Sequence, residues 1–228
     1  FQRTQVKITP YLGGPSLNCT ACVINGEIAL SPPDIQIVGD PAMVSTAGQY
    51  IGSDFSQHAI AKPIRKQIMD VMKKTGRWMG GNGYRGNFGI DFLTTTDKKG
   101  KVDAIYVSEI NARLVGESQY MADFQSMKNT VPLSFFHLAE FMELDIKPEW
   151  VRKYNESLTD VEGSALLIYN RKKGTFRSPG TIRTGIYLME QNQPVRIRDG
   201  YLLSETKNSD EFVITNGTPW KDLVLGHP

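Results

Sequence analysis

Asn25-Gly26 stands between two strand-forming runs, Leu17 to Ile24 and Glu27 to Leu30, and constrains this chain more tightly than any other feature. Both residues of such a dipeptide reach positive φ at little cost, as a two-residue hairpin turn requires, so the flanking runs are expected to pair antiparallel. Upstream, Val6, Ile8 and Pro10 alternate with polar neighbours and predict an opening strand over Gln5 to Tyr11. The first 40 residues therefore read as a small antiparallel sheet.

Further along, the small residues from Ser45 to Ser56 predict a loop. Ile60, Ile64, Ile68, Val71 and Met72 then recur at helical spacing, with Pro63 in the first turn and Gly76 as the expected stop. A glycine-rich loop (Gly80, Gly81, Gly83, Gly86, Gly89) leads into a strand at Ile90 to Leu93, and a turn at Asp97 to Lys101 joins this to a second strand, Ala104 to Ile110. Leu133, Phe136, Leu138, Ala139 and Met142 predict another helix, ending before Pro148. From Gly163 the pattern changes to short strands: Ala165 to Tyr169, Gly185 to Met189, Val195 to Ile197 and Phe212 to Ile214. The expected class is α+β: an antiparallel sheet with packed helices over residues 1–150, followed by a small β-rich unit over 151–228 packed upon it.

With 228 residues, 40% hydrophobic and 22% charged, the chain can bury a core, which excludes disorder. Its 26 basic and 24 acidic residues nearly cancel without runs of like charge, so no electrostatic footprint points to nucleic acid or an anionic membrane. No apolar run approaches the roughly 20 residues of a membrane span, and Phe1, Gln2, Arg3 and Thr4 do not begin a signal peptide. Cys19 and Cys22 are too few for a disulfide scaffold. These features predict a cytoplasmic protein acting on a small molecule, with homo-oligomerisation left open. The missing initiator Met and the immediate strand pattern predict a fragment of a longer protein.

The chemistry concentrates in Gly86-Asn-Phe-Gly-Ile-Asp91-Phe-Leu, followed 18 residues after Asp91 by Glu109-Ile-Asn111-Ala-Arg113. Glu109, Asn111 and Arg113 are spaced by two along a strand running into a loop, so their side chains can share one face. If the strands bearing Asp91 and Glu109 form a hairpin, Asp91 joins them and supplies hard oxygen ligands of the kind Mg2+ takes when it also binds phosphates. Arg113 would then clamp a phosphate or carboxylate. The alternative is a pair of ordinary polar residues on an outer sheet face, with Arg113 as a surface ion-pair partner.

The string Gly83-Tyr-Arg-Gly-Asn-Phe-Gly-Ile-Asp-Phe-Leu, then Glu-Ile-Asn-Ala-Arg, then Gly116-Glu-Ser118, resembles the ATP-grasp superfamily, which includes carboxylate-amine ligases, biotin carboxylase and carbamoyl phosphate synthetase. Tyr11-Leu-Gly-Gly-Pro-Ser-Leu-Asn is similar to the strand after that family's adenine hinge, and the resemblance spans about residues 5 to 145. It implies that Asp91, Glu109 and Asn111 bind Mg2+, with Mn2+ as an alternative, alongside ATP, and that Arg113 touches phosphate or an acyl-phosphate intermediate as the catalytic residue. The family's phosphate-covering glycine loop, ATP-binding lysines and hinge acid are expected upstream of Phe1. The implied function is ATP-dependent ligation of a small carboxylate to an amine. A biotin-carboxylase-like carboxylation and a non-catalytic binding or scaffold module are the alternatives.

Other features have plainer readings. Gly81-Asn-Gly83-Tyr-Arg-Gly86 matches G-x-G-x-x-G but runs from helix to strand, the reverse of a dinucleotide fingerprint. Cys19 and Cys22, three apart on a strand, point to opposite faces and are expected to be buried and inert. His58, His137 and His227 share no ligand spacing, and His137 reads as a core or interface histidine with a hydrogen-bond partner. Ser16, Ser118 and Ser134 lack a His-Asp pattern. Trp78 and Met79 read as packing, Arg171, Lys172 and Lys173 as a solvated hairpin turn, and Arg183, Arg196 and Arg198 as surface arginines.

Overall fold

A computed structural model describes residues 8–56, 60–158, 160–169 and 174–225. The chain runs β1 (Ser16–Ile24), β2 (Glu27–Leu30), β3 (Asp34–Val38), β4 (Tyr50–Asp54), α1 (Lys62–Gly81), β5 (Gly86–Thr96), β6 (Val102–Asn111), α2 (Ser118–Met127), α3 (Leu133–Phe141), α4 (Pro148–Glu156), β7 (Ser164–Leu166), β8 (Phe176–Arg177), β9 (Gly185–Glu190), β10 (Gln193–Arg198), β11 (Phe212–Ile214) and β12 (Val224–Leu225). The class is α+β, as the sequence patterns require. Seven strands form one antiparallel sheet, ordered β6-β5-β1-β3-β4-β7 with β2 beside β1.

The hairpin at Asn25-Gly26 forms with φ of 47° and 81°, and Ile24 pairs with Glu27 across it. Glu140 from α3 accepts the Asn25 N–H at 2.8 Å while pairing with Arg85, so the turn is clamped by a buried carboxylate. The two sheet faces differ. On one, Leu17, Cys19, Ala21 and Val23 of β1 join Phe88, Ile90 and Phe92 of β5 against Ile64, Ile68 and Met72 of α1. On the other, Cys22 and Ile24 pack under Leu133, Phe136 and Ala139 of α3 and Val151 and Tyr154 of α4. The strand alternation that separates Cys19 from Cys22 thus assigns each thiol to a different core.

Several expectations are corrected. Residues 8–15 form no strand, and the remainder of the expected opening strand lies outside the described residues, as do His58, His227 and Arg171 to Lys173. The expected loop at Ser45 to Ser56 contains β4, whose middle is buried between β3 and β7. Gly76 does not stop α1, which continues to Gly81. Gly76 lies in the helix interior because a Cβ there would fall 2.7 Å from Ile28 Cδ1 and 3.1 Å from the Phe88 ring, so its role is close packing. α2 and α4 were not anticipated, and Pro148 opens α4, a position where its missing N–H costs nothing.

β7, expected within the tail unit, is hydrogen-bonded to β4 and belongs to the main sheet. The tail's own strands form a three-stranded sheet, β10-β9-β11, and a β8-β12 pair. Leu203 of the tail packs against the cluster of Phe55, Met121, Phe124 and Val161. No helix among the described residues is long and apolar enough to cross a membrane.

β2 is joined to the helical layer by Asn155 of α4, which accepts the Leu30 N–H at 2.9 Å and donates to the Ile28 carbonyl at 2.8 Å. One amide side chain thereby completes the strand edge that β1 leaves bare. Asn155→Ala strands both backbone groups and is expected to cost roughly 2–6 kcal/mol in urea denaturation, given about 1–3 kcal/mol per buried group left unpaired. A cost under about 0.5 kcal/mol would show that the edge is satisfied in another way. In the same folded protein both thiols, buried and each with its pKa raised chiefly by desolvation, should resist alkylation until global unfolding. Rapid labelling of either thiol under native conditions would contradict the core assignment.

Candidate metal and phosphate site

The α3/α4 face of the sheet changes character along its strands. Beyond the Cys22–Asn87 pair the facing residues become polar. Thr20 lies opposite Gly89, and Gly89 opposite Asn111. The next row runs across four strands: Asp34 on β3, Asn18 on β1, Asp91 on β5 and Glu109 on β6, each opposite its neighbour. Directly opposed residues project from the same face. Gln36, opposite both Ser16 and Ser53, continues the polar surface.

Asp91 and Glu109 owe this alignment to the β5–β6 hairpin, which has a bulge immediately beside them: Asp91 pairs with Glu109 and Phe92 with Val107, leaving Ser108 extra. A bulge of this kind re-aims side chains at a strand end. Asn111, two residues beyond Glu109, donates through Nδ2 to Asp91 Oδ2 at 3.0 Å. Asp91 Oδ1 accepts Asn18 Nδ2 at 2.7 Å and Gln36 Nε2 at 3.0 Å. Arg113 donates through Nη2 to Asn111 Oδ1 at 2.9 Å and through Nη1 to the Leu114 carbonyl. It forms no ion pair among the described residues, so the surface-pair alternative does not describe it. Glu109 is exposed and makes no hydrogen bond or ion pair among those residues.

The segment after β6 folds back over this face. A Cβ on Gly89 would lie 2.7 Å from Val115 Cγ1, so only glycine there lets Val115 settle on the strand. Next to it, Glu117 is 4% exposed at the start of α2. Burial lifts its carboxyl from 4.5 to about 7; its own backbone N–H pulls the other way, Asp91 adds to the rise and Arg113 opposes it. Asp34, 2% exposed, is pushed up by burial first and then by the Glu117 charge.

The residues fit a hard divalent cation. Glu109 is free to accept, Asp91 carries three amide donors on a carboxylate with about four lone-pair positions, and Asn111 Oδ1, which accepts from Arg113, keeps a second lone pair. Among the described residues no three His, Cys, Asp or Glu side chains could hold a metal by themselves, so Asn111 and substrate oxygens would have to complete the shell. Buried Glu117 Oε1 has no hydrogen-bond partner among the described residues, in a site otherwise rich in donors.

The structure therefore brings together the four residues expected from sequence, Asp91, Glu109, Asn111 and Arg113. It adds Asn18, Asp34, Gln36 and Glu117. Asn18 falls in the polar alternation Ser16, Asn18, Thr20 on a strand whose other face is apolar, and Glu117 in Gly116-Glu-Ser118, whereas no local pattern marks Asp34 or Gln36. Only the strand order reveals that these meet Asp91. His137 lies apart and accepts the Asn87 N–H through Nδ1 at 3.1 Å.

No family model matches the chain. An L-propargylglycine–L-glutamate ligase from Streptantibioticus cattleyicolor is 32% identical over 84 residues, covering 37% of this chain and 16% of the ligase. Among solved structures, N5-carboxyaminoimidazole ribonucleotide synthetase from Thermus thermophilus matches with a TM-score of 0.45 at 12% identity, covering 84% of this chain and 45% of that one. A biotin carboxylase complex with β,γ-ATP from Campylobacter jejuni matches with a TM-score of 0.46 at 14% identity, covering 81% of this chain and 39% of that one. At these scores the superpositions add no argument of their own. The chain spans less than half the length of each of these proteins.

The buried carboxyls predict an unusual pH dependence. Glu117 has a higher pKa folded than its ordinary 4.5, so between pH 4.5 and about 7 the folded state binds more protons than the unfolded one. Its favourable contribution is complete below 4.5 and is lost as pH rises through about 7. At about 1.4 kcal/mol per pKa unit, metal-free stability should fall by roughly 2–3 kcal/mol between about pH 5 and pH 8, with Asp34 acting in the same direction. Glu211, held down to about 2 by Arg198, acts below this window. Urea denaturation at fixed ionic strength reads the slope, which Glu117→Gln should flatten. Stability that rises across the window would contradict the burial of these groups.

Proposed function

We propose that this chain is the metal-binding, C-terminal part of an ATP-grasp ligase that activates a carboxylate as an acyl phosphate with ATP and transfers the acyl group to an amine. The observation carrying the reading is the register of β5 and β6, with Asp91 opposite Glu109 and Asn111 two residues further along the same face. The order of these residues in the chain, matching the E-x-N-x-R pattern, supports it independently. The named activity of the S. cattleyicolor relative favours amino acids as the carboxylate and amine substrates over carboxylation. ATP as partner argues for the cytoplasm. In this reading residues 1–150 are the ATP-grasp part and 151–228 an appended β-rich unit, with β7 as an added edge strand.

Asp91, Glu109 and Asn111 would hold Mg2+ or Mn2+ together with ATP, and the cation supplies charge neutralisation at the phosphates. Arg113 contributes a fixed charge and a planar fork of donors, suited to orient phosphoryl or acyl-phosphate oxygens. Val115, seated on Gly89, would cover the sheet side of the site with an apolar side chain. Glu117, with a pKa of about 7 and an unpaired Oε1, is suited to accept the proton that an amine loses on attack. No side chain acts as a covalent nucleophile.

Glu109→Ala in the full-length protein separates function from fold. Glu109 is exposed at a strand end, so thermal melting should be nearly unchanged, while ADP release across a panel of carboxylates and amines should fall about 100-fold to 1,000-fold, the usual cost of losing one electrostatic contribution. Unchanged turnover in a well-folded variant would favour the binding-module alternative.

A further inference from the structure

Asn18 lies between two acids. It is opposite Asp34 on one side and Asp91 on the other, and all three share a face. Its amide orientation is determined, because Nδ2 donates to Asp91 Oδ1 at 2.7 Å, which leaves Oδ1 as a pure acceptor. Asn18 Oδ1 and Asp34 Oδ2 are both buried, and neither has a hydrogen-bond partner among the described residues. Two acceptors cannot satisfy each other, and each unpaired group costs about 1–3 kcal/mol. A single hydrogen between them would satisfy both.

We propose that Asp34 is a neutral carboxylic acid that donates its hydrogen to Asn18 Oδ1, making Asp34-Asn18 a positioning relay that holds the Asp91 carboxylate. The surroundings agree. Burial and then the Glu117 charge disfavour ionised Asp34; the Ser53 hydroxyl opposes them less strongly, Asp91 adds to the rise, and the backbone N–H of Asp34 opposes it weakly. The other ionisable groups around it are the Cys19 thiol of β1 and the Tyr50 hydroxyl of β4, which reaches Ser53 at 3.0 Å. Among the described residues no cation is counted among the influences on Asp34.

The consequence falls on Asp91. With Asn18 Oδ1 held by Asp34, Asn18 Nδ2 cannot rotate away, and it joins Gln36 Nε2 on Asp91 Oδ1. Oδ2, which among the described residues accepts only Asn111 Nδ2, is then the more open oxygen. Such outer partners commonly change metal affinity about 10-fold to 100-fold. The proton on Asp34 stands on the hydrogen-bond network alone; its effect on metal affinity rests on the ligand role proposed for Asp91.

The test compares the full-length protein with Asp34→Asn, Asp34→Ala, Asn18→Ala and Glu117→Gln. Infrared difference spectra at pH 7 should show a carboxylic-acid C=O band that disappears in Asp34→Asn and survives in Glu117→Gln. The same proton is readable without substitution as a protonated side-chain carboxyl in 13C NMR of Asp-labelled protein, should a variant fail to fold. Absence of a protonated Asp at pH 7, or loss of the band only in Glu117→Gln, would overturn the assignment. Mn2+ titration then reads the relay: Asp34→Asn, whose amide keeps a donor for Asn18, should stay within about 3-fold of the parent, and Asp34→Ala and Asn18→Ala should weaken binding about 10-fold or more. Equal affinity in all of them would overturn the positioning role. A parent that binds no Mn2+ but shows the band would overturn the metal reading of Asp91 while leaving the proton on Asp34 in place.

Discussion

Burying amides and carboxyls on a sheet face costs free energy unless each finds a partner, and the packing of this chain is arranged around one carboxylate that finds three. Asp91 is held by Asn18 from β1, Gln36 from β3 and Asn111 from β6. β1 and β6 are thereby registered against β5 by side chains as well as by backbone ladders, and β3, one strand further away, is tied to it through Gln36. A slip of one residue in any of them would turn these groups into the apolar layer beneath α1 and bring apolar residues to the polar row.

The two faces divide the work. The α1 side is a continuous apolar core whose close contacts require Gly76 to lack a side chain. The opposite side is apolar only where α3 and α4 cover it, with Asn155 and Glu140 completing the backbone edges there. Past those helices the same strands carry the polar row, and the segment through Val115 to Glu117 closes over it. The candidate site is thus built on strands and one short loop, an arrangement suited to the positioning and fixed charge that the proposed chemistry needs.

Much of this was legible from local patterns. Asn25-Gly26 specified a hairpin because its dihedral demands are local, and the alternation around Cys19 and Cys22 assigned their faces because strand period is local. The spacing of Glu109, Asn111 and Arg113 placed them together for the same reason. Asp34, Asn18 and Gln36 were not legible as site residues, since their meeting with Asp91 depends on the strand order β6-β5-β1-β3, which no local pattern encodes. α2 was missed because its apolar positions are few, and α4 because Pro148 reads equally well as an end or a beginning. Gly76 misled because packing overrode its helix-breaking tendency.

The central claim is that Asp91 and Glu109, aligned across the β5–β6 bulge, share a divalent cation with ATP. A crystal structure of the full-length protein grown with Mn2+ and a non-hydrolysable ATP analogue tests it most directly, because anomalous scattering locates the ion without assumption. The account predicts a Mn2+ peak beside the nucleotide phosphates with Asp91, Glu109 and Asn111 among its protein ligands. A nucleotide-bound Mn2+ whose only protein ligands lie elsewhere would contradict it.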